Sequence, residues 1–64
     1  MNIRIDNYYI SVNNRGIINI CIDGQMIIQE STKFTKIEDV MNDAVRLIIE
    51  YNKRHNLKWG DVDI

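Results

Sequence analysis

From Lys36 to His55 apolar side chains return every three or four residues: Ile37, Val40, Met41, Ala44, Val45, Leu47, Ile48, Ile49 and Tyr51. That is the period of an α-helix, and it predicts one of about twenty residues, roughly 30 Å long. Its ends are marked in the sequence. Thr35-Lys36-Ile37-Glu38 matches a capping box, with a hydroxyl at the N-cap and a carboxylate three residues on. Glu38 and Asp39 then sit at the positive end of the helix dipole, and Lys53, Arg54 and His55 at the negative end. Asn56 suits a left-handed stop, and Leu57 supplies the apolar residue that often follows one. At about 100° per residue the apolar arc spans roughly 200°, twice the width that seats a helix on a core. Ile37, Met41, Ala44, Ile48 and Tyr51 can supply the seated stripe. Val45 and Ile49 on one flank, and Val40 and Leu47 on the other, call for a second cover.

The N-terminal half has a different period. Ile3 and Ile5 alternate with polar residues; Tyr8, Ile10 and Val12 then take the opposite parity across Asp6 and Asn7. A β-bulge there, or a break between two strands, would restore a common face. Tyr8 to Val12, Ile17 to Ile22 and Met26 to Glu30 read as strands, separated by Asn13-Asn14-Arg15-Gly16 and Asp23-Gly24. A two-residue Asp-Gly turn would pair Ile22 with Gln25. A three-residue loop with a left-handed glycine would pair Cys21 with Gln25 and, by the same rule, Asn13 with Ile17. The three-residue rule explains both turns at once and is preferred. It puts Tyr8, Ile10, Val12, Ile18, Ile20, Met26 and Ile28 on one face. Tyr9, Ser11, Ile17, Asn19, Cys21, Ile27 and Gln29 fall on the other, which is at least half apolar.

The predicted fold is therefore α+β: a three-stranded antiparallel β-meander packed on one face by a single C-terminal helix, in one domain spanning residues 1–64. The tail from Leu57 carries Trp59, Val62 and Ile64 and is expected to form an extra strand or to reach a neighbouring subunit.

Composition narrows the function classes. A domain of 64 residues buries only about 60% of its unfolded surface and usually needs a disulfide, a metal or a partner subunit. One cysteine, Cys21, forms no internal disulfide, and one histidine, His55, builds no Cys/His zinc cluster. Oligomerisation is the support left. With eight basic and nine acidic residues the net charge is −1, unlike the basic balance that phosphate binding favours. No signal peptide or membrane-spanning run is visible, so a cytoplasmic location is expected. Thirteen isoleucines and eight asparagines suggest an AT-rich genome, bacterial or phage.

Candidate chemistry is sparse. Cys21 and His55 are the one nucleophile–base combination, and they are predicted on opposite sides of the sheet. Asp23, Asp61 and Asp63 match no calcium loop. Gly16 and Gly24 lack phosphate-cradling spacing. No catalytic, metal or cofactor site is expected, and no enzyme. A meander followed by one helix resembles the arm-site DNA-binding domains of some integrases and the plant AP2-type domains. That resemblance implies DNA reading by the open sheet face, but the face as assigned holds no Arg or Lys.

The expected function is a small protein-interaction module, an inhibitor, adaptor or regulator, working as a homo-oligomer, most simply a dimer, with a protein partner. Its expected interface residues are Tyr9, Ile17, Cys21, Ile27, Val45, Ile49 and Trp59. A nucleic-acid-binding regulator is the alternative.

Overall fold

The sheet has four strands in simple sequential order: β1 Asn2–Ile5, β2 Tyr8–Val12, β3 Ile17–Ile22 and β4 Gln25–Ser31, all antiparallel. One helix, α1 Ile37–His55, follows and packs on one face. The computed structural model describes residues 1–62. The strand beyond the predicted three is β1, at the N-terminal edge. The tail forms no strand among its described residues, Leu57 to Val62, and its last two, Asp63 and Ile64, lie outside them.

Asp6 explains the extra strand. It takes a φ of +53°, which an Asp tolerates better than most residues. A two-residue Asp6-Asn7 turn then pairs Ile5 with Tyr8 and Ile3 with Ile10. The parity switch at Asp6 thus marks a hairpin, and Ile3 and Ile5 join the face of Tyr8 and Ile10.

The first long loop follows the predicted rule. Asn13 N–H donates to the Ile17 carbonyl, and Gly16 has φ +75°. The Asn13 side chain shapes the loop: its Oδ1 accepts from the Arg15 and Ile17 amides at 2.9 and 3.1 Å. A Cβ on Gly16 would lie 2.9 Å from the Thr32 carbonyl oxygen. Gly16→Ala combines that clash with a left-handed backbone, and it should cost about 2 kcal/mol in urea unfolding.

The second turn departs from the rule. Asp23 and Gly24 have φ +49° and +80°, the two positive values of a type I′ turn, which an Asp-Gly pair favours. Ile22 therefore pairs with Gln25 and Cys21 with Met26, and a bulge then returns Ile20 to Ile28. Ile27 is the extra residue. The expected places of Met26 and Ile27 are exchanged as a result. Met26 lies opposite Cys21 and is 56% exposed, whereas Ile27 is half-buried against the core.

The core joins Tyr8, Ile10, Ile18, Ile20, Ile22 and Ile28 of the sheet to Val40, Ala44, Leu47 and Ile48 of the helix. Compared with expectation, α1 is rolled about its axis. Val40 and Leu47 are buried, while Ile37 and Met41 are exposed. Its start also differs: the N-cap is Lys36, with no side-chain cap bond, so the Thr35 capping box does not form. Its stop is as expected. Asn56 is left-handed, Leu57 N–H donates to the Asn52 carbonyl, and Asn56 N–H to that of Lys53. This is the Schellman pattern.

Candidate interaction surfaces

Trp59 closes its own monomer. After the Schellman turn the tail comes back to the β1–β2 turn. The Trp59 ring packs on Tyr8 with centroids 4.8 Å apart, and Nε1–H donates to Asp6 Oδ2 at 2.7 Å. Asn7 Nδ2 donates to the Gly60 carbonyl, and Gly60 N–H donates to the Tyr8 hydroxyl at 2.9 Å. Val62 continues against the core. The tail thus caps the end of the sheet where β1 meets β2.

The same hydroxyl reaches the helix. Asn52, buried at 6% exposure, points Nδ2 at the Tyr8 oxygen over 3.5 Å, a long bond; its Oδ1 meets no partner among the described residues. This polar centre joins sheet, helix and tail, and sequence reasoning missed it. A signal was present: Asn52 falls four residues after Ile48, inside the apolar arc.

The outer face of the sheet is less apolar than the sequence suggested. One row across it reads Arg4, Tyr9, Cys21, Met26; the next reads Asn2, Ser11, Asn19, Gln29. The Arg4 guanidinium lies 5.3 Å from the Tyr9 ring centre, and Gln29 Nε2 donates to Asn19 Oδ1 at 2.9 Å. Ile17 and Cys21 are half-buried and Tyr9 is exposed. β1 therefore brings a cation onto a face that was expected to have none, and the bulge removes Ile27 from it.

The third surface runs along the helix. Ser31 to Phe34 lies beside Asp43 and Arg46, which turns that flank toward the β4 edge. Arg46 binds Asp43 at 2.8 Å and Glu50 at 3.0 Å. The hydrogen bond that Arg46 donates to Asp43, more than the one it donates to Glu50, pushes the guanidinium pKa up from its ordinary value. On the opposite flank Ile37, Met41, Val45 and Ile49 form a row at four-residue spacing. Ile37 is 53% exposed and Ile49 50%; Met41 is exposed and Val45 half-buried.

The seven expected interface residues thus occupy separate places. Tyr9, Ile17 and Cys21 share the outer sheet face. Val45 and Ile49 share the helix flank with Ile37 and Met41, two residues that the sequence had assigned to the core. Ile27 and Trp59 pack within the monomer.

Cys21 is on the outer face of β3, whereas His55 ends the helix on the inner side, stacked on Tyr51 at 4.1 Å. The sheet separates them. Among the described residues no three of His, Cys, Asp and Glu come together to hold a metal ion, and no helix is long and apolar enough to cross a membrane. Comparison with protein-family models, with curated proteins and with solved structures gave no match.

Proposed function

We propose that the protein is a small, non-enzymatic protein-interaction module that self-associates through the flank of α1 away from the β4 edge. The observation that carries this reading is the row Ile37, Met41, Val45 and Ile49, exposed at all but the half-buried Val45. Single exposed apolar residues are ordinary, but a contiguous row on one helix face is the form that docks another protein. A domain this small also gains the burial that its own length denies it.

The test is solution mass by light scattering at micromolar to submillimolar concentration. Wild type should run above monomer mass and Ile49→Asp at monomer mass. Ile49 is half in solvent already, so the variant should keep its helical circular dichroism. Equal masses for the two would overturn the reading.

One observation favours nucleic-acid binding as a second reading: Arg4 set against Tyr9 on the outer sheet face, the pair of groups on which bases stack. A salt-sensitive mobility shift with single-stranded DNA, lost in Arg4→Ala, would support it.

A further inference from the structure

We infer that the occupant of the helix flank is a second copy of the chain, packed antiparallel across a two-fold axis close to Val45. The inference rests on the reading of that flank as the contact surface, and it adds the partner and the geometry. It follows from how charge is distributed about the apolar row. The first turn of α1 carries Glu38 and Asp39, and the last turn carries Lys53, Arg54 and His55. Glu38 and Lys53 are both exposed, and both fall within about 80° of Val45 around the helix, so they flank the row at its two ends.

Parallel packing of two such helices would set acid against acid at one end and base against base at the other. Antiparallel packing sets each first turn against the other copy's last turn, and it opposes the two helix dipoles as well. An axis at Val45 places Val45 against its own counterpart and Met41 against Ile49 of the second copy. Glu38 then comes within a turn of Lys53 across the interface, and symmetry makes that contact twice. Apolar residues occupy the centre and opposite charges the rim, the usual anatomy of an interface. Four side chains per copy make a small centre, so the association belongs to the weak class.

Charge reversal tests this. Glu38→Lys and Lys53→Glu are made singly and together, and the dimer dissociation constant is measured by sedimentation equilibrium. Each single reversal should raise it at least about tenfold, because two attractive contacts become repulsive; the double should return within about threefold of wild type. Thermal midpoints separate this from effects inside the helix. Each reversal puts the wrong sign at a helix end, so within one chain the losses add. Rescue in the double variant can arise only between chains.

If neither single reversal moves the dissociation constant, or the double is as weak as the two losses combined, antiparallel pairing is overturned. Provided that Ile49→Asp still lowers the mass, the helix flank survives as the contact surface in that case. A wild-type chain that stays monomeric throughout overturns the pairing and the self-association together.

Discussion

Trp59→Ala should destabilise the protein by about 2–3 kcal/mol, measured by urea unfolding. A fully buried Trp costs about 3–5 kcal/mol to truncate; Trp59 is 40% exposed, which lowers the figure. The loss has two parts. The ring leaves Tyr8, and Asp6 Oδ2 loses the indole N–H that it accepts at 2.7 Å. For a chain of this length the whole stability is on the order of 3–9 kcal/mol. The substitution therefore removes a large share of it, and the thermal midpoint should fall by about 10–20 °C. Trp59→Phe keeps a smaller ring on Tyr8 and loses the N–H with part of the indole surface, so it should lose roughly half as much. A Trp59→Ala chain within about 0.5 kcal/mol of wild type would show that the tail does not hold the sheet.

Where the chain was legible, local chemistry decided the outcome. The Schellman stop at Asn56 needs only a left-handed residue and an apolar one after it. The Asn13-to-Gly16 loop is closed by its own asparagine side chain, and the glycine is at the position that must be left-handed. The β2 and β3 core positions follow from alternation alone.

The misread elements were settled by competition between neighbours. At Asp23-Gly24 two turn types fit the residues. The shorter one won because an Asp-Gly pair meets the two positive φ values of a type I′ turn, and β4 absorbed the mismatch as a bulge. At Asp6-Asn7 a two-residue turn forms with Asp6 alone left-handed and no glycine, which weakened the hairpin signal. The roll of α1 was beyond local reading. Its apolar arc of about 200° offers several faces of similar hydrophobicity. At the far edge of the face that is buried, the Tyr8 hydroxyl is reached by both Asn52 and the Gly60 amide. At about 100° per residue the buried face runs from Leu47 through Val40, Ala44 and Ile48 to Asn52, and Ile49 lies just beyond that edge. What the core gains in Val40 and Leu47, the surface receives in Ile37 and Met41.

The buried place of Asn52, with one oxygen unpartnered among the described residues, makes Asn52→Asp the most informative substitution. Aspartate has almost the same shape, so packing is retained and only charge changes. Asn52 is 6% exposed, and its new carboxylate would face burial and the negative end of α1, both of which disfavour the ionised form. One donor, the Tyr8 hydroxyl, opposes them. Desolvation prevails, so the folded-state pKa rises above the unfolded value of about 3.9. The sign of the pH dependence follows. Below pH ~3 both states are protonated, and the variant should be close to wild type. As the pH rises the unfolded chain ionises first, and stability falls by about 1.4 kcal/mol per unit until the folded-state pKa is passed. For a shift of two to three units the loss at pH 7 is about 3–4 kcal/mol. Asn52→Leu removes the unpartnered oxygen and any titration, leaving the Tyr8 hydroxyl its bond from the Gly60 amide, so its difference from wild type should be flat from pH 4 to 8. A flat difference for Asn52→Asp as well would mean that the carboxylate reaches water, and that position 52 is not sealed between sheet, helix and tail.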